Sequence, residues 1–220
     1  QEDRSTTLLD AVVAKAREVA DARGMRAHQV WLPPLPERIP LPQLAHTDGA
    51  LGLIDEPFKQ RQTPFHLDLD TAGGHVAIAG GPQTGKSEAL RTLAASVALT
   101  QPTDRVAIYA IDAGSGGLAG LEVLPHVAGT AARGDEERVR RVVDEVLTLI
   151  DADEPSARQT LLLIDGWHAL LAPDSKLEDL REPLARIASD GPAAGVHLVL
   201  TTQRWSAVRS GVRDLIGTRF

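Results

Sequence analysis

The 220 residues carry a formal net charge of −7, with 43% hydrophobic side chains, only 3% aromatics and no cysteine. That length suits one α/β domain with an aliphatic core, and the lack of thiols excludes disulfides and thiolate metal sites. The acidic balance argues against a nucleic-acid footprint across the whole domain, and no apolar run approaches the ~18 residues of a membrane span.

Residues 8–22 place Leu8, Leu9, Val12, Val13, Ala16, Val19 and Ala20 at helical spacing. Thr7 with Asp10 can cap the start of this helix, and Gly24 can end it. Pro33, Pro34, Pro36, Pro40 and Pro42 then predict an extended strap with apolar residues between the prolines. We read residues 1–50 as this helix and strap packed on the core of the 51–220 domain. The polar start without an initiator Met, and the end at Gly-Thr-Arg-Phe, are expected of a piece of a longer protein.

Two short strands, Leu51–Ile54 and Phe65–Leu69, flank the turn-rich Asp55–Pro64. A buried strand, His75–Ala79, runs into Gly80, Gly81, Pro82, Gln83, Thr84, Gly85, Lys86 and Ser87. Gly80, Gly85, Lys86 and Ser87 fill every fixed position of G-x-x-x-x-G-K-[ST], the P-loop. Behind it Leu90, Leu93, Ala94, Val97 and Ala98 mark one face of a helix, so strand, Gly-rich turn and helix come in the confirming order.

The residue types suit a nucleoside triphosphate. Glycines let backbone N–H groups approach the phosphates, and the helix adds its unpaired N–H groups and positive dipole end. Lys86 is expected on the β- and γ-phosphates and the Ser87 hydroxyl on Mg²⁺, with Glu88 completing the contact set.

Arg105–Ile111 is the next strand, closing on Asp112 and followed by Gly114, Ser115, Gly116 and Gly117. A helix over Asp135–Ile150 turns Val139, Val142, Val143, Val146, Leu147 and Ile150 inward. Thr160–Ile164 is a strand ending in Asp165. Arg181–Ser189 is a helix with Pro183 in its first turn, Val196–Thr201 a strand and Ser206–Ile216 a terminal helix. Strands alternating with helices predict a mainly parallel sheet covered on both faces.

A P-loop site needs an acid to hold hydrated Mg²⁺ from a neighbouring strand. Asp165, after four apolar residues, is favoured over Asp112, which has a similar setting, partly on the family resemblance given below. The next position, where hydrolytic enzymes of this class commonly carry a Glu that orients water, is Gly166. Losing such a group typically costs 10²–10⁴-fold in rate while binding remains. Glu88 or a neighbouring subunit is left as a substitute. Thr201, Thr202 and Gln203 close their strand where a polar sensor of the γ-phosphate is expected, and Gln203 joins the nucleotide contacts. Arg204, Arg209, Arg213 and Arg219 are candidates for a neighbouring site in trans, and the seven histidines show no metal-ligand spacing.

Gly80 to Ser87, Leu124-Pro-His-Val127, Asp165-Gly-Trp167, Gly195-Val-His-Leu-Val-Leu-Thr201, Arg204-Trp205 and Asp214-Leu-Ile-Gly-Thr-Arg219 together resemble the FtsK/SpoIIIE ATPases. The strap Gln29-Val-Trp-Leu-Pro-Pro-Leu-Pro36 adds to the likeness, which is strongest to the type VII (ESX-type) secretion branch, EccC. The resemblance implies a P-loop NTPase of the RecA/FtsK kind, its mostly parallel sheet flanked by helices on both faces. It implies ATP and Mg as ligands, and a middle, second module that binds ATP but turns it over poorly. It also implies neighbouring FtsK-like modules in the same chain, small helical secretion substrates and a hexamer as one arrangement. Such a module lies at the cytoplasmic face of the cell membrane and meets the membrane only through its parent protein. A fully active translocase completed in trans, and an FtsK-type DNA translocase, are the alternatives. The chain departs from the family in two places, with only Asp151–Thr160 where a longer polar insertion is usual, and with little beyond Arg219. Both departures suggest missing segments.

Overall fold

Strands that are apolar on both faces need cover on both faces, and that requirement organises the molecule. The computed structural model describes residues 7–27, 30–44, 50–66, 74–114, 116–152 and 157–220. The chain divides into two compact units, Gln1–Leu35 with Asp55–Thr63, and Pro36–Ile54 with Pro64–Phe220.

Helix α1 (Leu8–Ala22) opens the chain as its spacing predicts. Asp10 N–H donates to Thr7 Oγ1 at 3.2 Å, and Thr7 N–H donates to the Asp10 carboxylate at 2.9 Å, a reciprocal capping box. No residue of α1 is buried. The strap is extended, with Gln60 and Gln62 amides donating to the carbonyls of Val30 and Pro33 at 3.3 and 2.8 Å. Helix α2 (Leu41–Leu44) is a single turn.

Strands β1 (Gly52–Glu56) and β2 (Arg61–Phe65) form a two-stranded sheet. The turn between them takes only Pro57–Lys59 and Gln60, which has φ 50°. Pairing therefore begins at Arg61, ahead of the expected Phe65–Leu69, of which residues 67–69 lie outside the described residues.

The larger unit follows as β3 (Val76–Ala79), α3 (Lys86–Thr100), β4 (Val106–Asp112), β5 (Val127–Ala132), α4 (Glu136–Ile150) and β6 (Gln159–Asp165). It continues through α5 (Trp167–Leu170), α6 (Arg181–Asp190), β7 (Val196–Thr202), α7 (Ser210–Arg213) and β8 (Thr218–Arg219). Six strands pair in the order β5-β4-β6-β7-β3-β8, all parallel. Sequence reasoning missed β5, because Val-Ala-Gly-Thr-Ala-Ala lacks the β-branched density of a buried strand.

The terminal helix expected over Ser206–Ile216 does not form. Val208 is buried in extended backbone and breaks the run, and only the single turn Ser210–Arg213 survives, itself weakened by Gly211. The chain instead turns to lay Thr218 and Arg219 beside Val76 and Ala77.

Pleating sorts the core into two layers. Leu161 and Leu163 of β6 join Ile108, Val199 and the inner face of α3, marked by Leu90, Leu93, Ala94 and Val97. Leu162 and Ile164 point the other way, into Val139, Val142, Val143 and Val146 of α4 and Leu184 and Ile187 of α6.

One buried polar residue fastens three elements of this core. His75, 1% exposed, accepts the Leu198 N–H on Nδ1 at 2.9 Å, so its Nε2–H donates to the Ala188 carbonyl at 2.8 Å. Burial holds the imidazole below its ordinary value of 6.5. The unfolded chain therefore takes up a proton that the folded chain refuses. Stability is expected to be full above pH 6.5 and to fall as the pH drops from there through the folded value. Urea unfolding at pH 7.5 and 5.5 measures this loss, and His75→Phe should reduce the difference.

Candidate functional site

Three strands deliver the polar groups of the site, and the pleat decides which ones. Leu163 and Val199 face α3. Two residues on, Asp165 and Thr201 face the same way at the carboxyl ends of β6 and β7, where α/β sheets bind ligands. The P-loop leaves β3 beside them, with Gly80 N–H donating to the Thr202 carbonyl at 3.1 Å.

The loop has the turns its sequence requires. Gly85 has φ +86° and ends the loop as the N-cap of α3. Gln83 takes φ +61°, an uncommon backbone for a side chain and a sign of a tightly specified turn. Thr84 Oγ1 donates to Gly81 O at 3.0 Å, and Lys86 Nζ donates to the same carbonyl at 2.6 Å. The lysine is thus folded back over the loop's own backbone.

Ser87 Oγ donates to Asp165 Oδ2 at 2.7 Å, and Thr201 Oγ1 donates to Asp165 Oδ1 at 2.5 Å while accepting the Gly166 N–H at 2.9 Å. Asp165 is 3% exposed, a buried carboxylate held by two hydroxyls. Ser87 and Asp165 supply two hard oxygen ligands rather than a cage. This fits Mg²⁺, which keeps several waters and takes its remaining ligands from phosphate. When bound, Mg²⁺ would neutralise charge between the terminal phosphates. Among the described residues there is no group of three or more His, Cys, Asp or Glu placed to hold a metal.

Asp112, the rival acid, has another task. Its Oδ1 accepts the Gly114 and Gly116 N–H groups at 3.1 and 3.3 Å, and its Oδ2 accepts the Leu118 N–H at 2.8 Å. It shapes the loop after β4, which packs closely against Asp165 and Ser87. A Cβ on Gly114 would meet Asp165 Oδ2 at 2.8 Å, and one on Gly117 would meet the Ser87 Cβ at 3.2 Å.

Gly166 has φ +83°, and a Cβ there would lie 3.0 Å from the Ala113 carbonyl carbon and 3.1 Å from Gly114 N. The place for a side chain after Asp165 is occupied by the backbone of the neighbouring loop. Of the other expected residues, Glu88 is exposed and paired with Arg91, and Gln203 stands exposed beyond the end of β7. Thr201 is the residue of that stretch that touches Asp165. Arg219 stacks on Trp205, 4.9 Å from its ring centroid, and donates to the Ile216 and Arg213 carbonyls.

A feature that sequence reasoning did not find lies against the start of α3. A cavity of about 420 Å³ is lined by Leu51, Phe65, Ile78, Gly85, Glu88 and Phe220 among others. Phe65 and Phe220 meet edge to face, with centroids 5.3 Å apart. An apolar, aromatic-walled cavity of this size beside a phosphate loop suits a nucleoside base. Its two aromatic rings are 155 residues apart in sequence, and no local pattern joins them.

The comparisons with known proteins agree with this architecture. The model of the FtsK/SpoIIIE family matches residues 38–163. The chain is 38% identical over 228 aligned positions to the ESX-1 secretion system protein EccCb1 of Mycolicibacterium smegmatis, covering 88% of this chain and 38% of that protein. It is 37% identical over 260 aligned positions to the ESX secretion system protein EccC of Thermomonospora curvata, covering 98% of this chain and 19% of that one. The chain thus spans well under half the length of these relatives, and the 260-position alignment means the second relative has residues this chain lacks. Among solved structures, the cytoplasmic domain of the T. curvata type VII secretion ATPase EccC superposes with a TM-score of 0.76 at 34% identity, over 88% of this chain and 27% of that one. T. curvata EccC (ATPases 2 and 3), solved with a signal sequence peptide, gives 0.69 at 38% identity, over 78% and 35%. Among the described residues, no helix is long and apolar enough to cross a membrane.

Proposed function

Because the chain belongs to the FtsK/SpoIIIE family, we propose that it is a nucleotide-holding module of an ESX-type protein-secretion motor, binding Mg-ATP and hydrolysing it weakly. The observation that carries this reading is the pairing of an intact P-loop with the Ser87–Asp165 contact, while backbone fills the space after Asp165. Residues suited to phosphate and magnesium are present, and position 166 carries no carboxylate.

In the proposed complex the backbone N–H groups of Gly81 and of Gln83 to Ser87 cradle the phosphates, and Lys86 turns from the Gly81 carbonyl onto the β- and γ-oxygens. Ser87 and Asp165 would hold the hydrated ion, and Thr201 keeps Asp165 in place. The base lies in the cavity that Phe65 and Phe220 help to wall. Glu88 borders that cavity, and Gln203 faces the phosphates only if the end of β7 adjusts. The module would act beside other FtsK-like modules of one polypeptide at the cytoplasmic face of a membrane. It would pass on the presence of ATP in handling small helical substrates, with a hexamer as one possible assembly.

Calorimetry with Mg-ATP, together with a phosphate-release assay, tests the proposal. Saturable binding with little release is expected. No heat of association overturns the nucleotide reading, and brisk release overturns the holding role in favour of an active translocase. Phe65→Ala should weaken ATP by about fivefold, the value of roughly 1 kcal/mol of aromatic contact, and leave inorganic triphosphate unchanged.

A further inference from the structure

Asp112 is not placed as a metal ligand, yet it stands beside the residue that is. Asp112 and Asp165 are register partners at the carboxyl ends of β4 and β6. Asp112 is buried, and its carboxylate accepts three backbone N–H groups, those of Gly114, Gly116 and Leu118. A carboxylate met by three donors is satisfied where it stands, and its charge fixes the shape of the turn.

That turn touches both magnesium ligands. A Cβ on Gly114 would stand 2.8 Å from Asp165 Oδ2 and 3.3 Å from its carboxyl carbon. Three residues on, a Cβ on Gly117 would stand 3.2 Å from the Ser87 Cβ and 3.7 Å from its Oγ. Backbone of a single turn therefore lies against the two oxygens that meet at 2.7 Å between Ser87 and Asp165. The turn is anchored at either end. Ala113 N–H donates to the Asp165 carbonyl at 2.8 Å, and Leu118 is buried in the layer beneath α3 with Leu90 and Leu163.

Resting on the Mg-ATP reading above, we propose that Asp112 is a positioning residue for the magnesium ion, acting through the turn it ties and never touching the ion. By holding Gly114, Gly116 and Leu118 it sets the wall that keeps Asp165 Oδ2 turned to Ser87.

Three holds then fix the Asp165 carboxylate. Thr201 donates to Oδ1 from β7, Ser87 donates to Oδ2 from α3, and the Gly114 backbone packs against Oδ2. Removing the Asp112 carboxylate leaves three backbone donors without their acceptor, and that of Leu118 is buried. The turn must reshape to satisfy them, and a wall that moves releases Asp165. Partners that act on a metal through its ligands contribute roughly 10- to 100-fold to metal affinity. The backbone cradle of the P-loop and Lys86 hold the phosphates without them.

Calorimetry of ATP binding in excess magnesium and in excess EDTA tests the assignment on wild type, Asp112→Ala, Asp112→Asn and Gly114→Ala. Wild type should bind ATP more tightly with magnesium. Asp112→Ala should lose about tenfold of that gain, while its affinity in EDTA changes by less than about twofold and so reports an intact phosphate loop. Asp112→Asn keeps an acceptor oxygen for Gly114 and Gly116 and should retain most of the gain. Gly114→Ala leaves Asp112 in place and needs no left-handed backbone, but its methyl group presses on Asp165 Oδ2. It should lose the gain as Asp112→Ala does. If Asp112→Ala does not fold, Gly114→Ala decides, because a wall without effect on Asp165 gives Asp112 nothing to position. A full magnesium gain in Asp112→Ala, or an equal loss in magnesium and in EDTA, overturns the assignment and leaves the nucleotide reading standing. If wild type binds ATP alike with and without magnesium, the metal reading fails and the assignment with it. If it binds no ATP at all, the nucleotide reading itself fails.

Discussion

Replacing Lys86 with alanine is expected to lower Mg-ATP affinity by about 30- to 5,000-fold, the equivalent of about 2–5 kcal/mol for removing one partner of a desolvated charge pair. The variant should fold almost normally. Lys86 is half-exposed and its ammonium group donates to the Gly81 carbonyl. The loop's own scaffold, the Thr84–Gly81 contact and the left-handed turn at Gly85, does not depend on it. Calorimetry beside a thermal melt separates the two effects. Equal affinity in wild type and variant would mean that the loop holds no polyphosphate.

Gly166→Glu should restore no hydrolysis and should destabilise the domain by about 2–4 kcal/mol. A side chain forced into left-handed backbone costs about 1–2 kcal/mol, and the added Cβ presses on the Ala113 peptide, which is not free to step aside. Asp112 organises the following loop, and Ala113 N–H donates to the Asp165 carbonyl at 2.8 Å. For a domain of this size the melting temperature should fall roughly 4–16 °C. Phosphate release at the wild-type rate, together with the lower melting point, is the expected pair of results. A gain of a hundredfold in turnover would show that the site lacked only the carboxylate.

The two variants also mark how far the sequence was legible. The P-loop was readable because its chemistry is local: eight consecutive residues carry the turn, the charge and the hydroxyl. The parallel sheet was readable for a related reason, since doubly buried strands and amphipathic helices alternate visibly. The preference for Asp165 over Asp112 leaned partly on the family resemblance, because each ends an apolar strand, and the fold shows that Asp165 is the one that meets Ser87. The lack of a carboxylate at Gly166 was plain from the letters. The loop that fills its place comes from residues about 50 positions earlier, which no local reading reveals. The same distance problem hid the Phe65–Phe220 cavity and the contact of Thr201 with Asp165. The terminal helix failed for another reason: apolar spacing over Ser206–Ile216 suggested a regular element, but the segment has to turn the chain back to the sheet edge.

The alternation that sends Leu163 and Asp165 to one side and Leu162 and Ile164 to the other carries a further lesson about tolerance. The centre is encoded in the parity of residue numbers as much as in their identity. Dropping a single residue from the middle of β6 would turn the carboxylate toward the aliphatic layer beneath α4 and α6. Every ligand would still be present in the gene product, and the site would be gone.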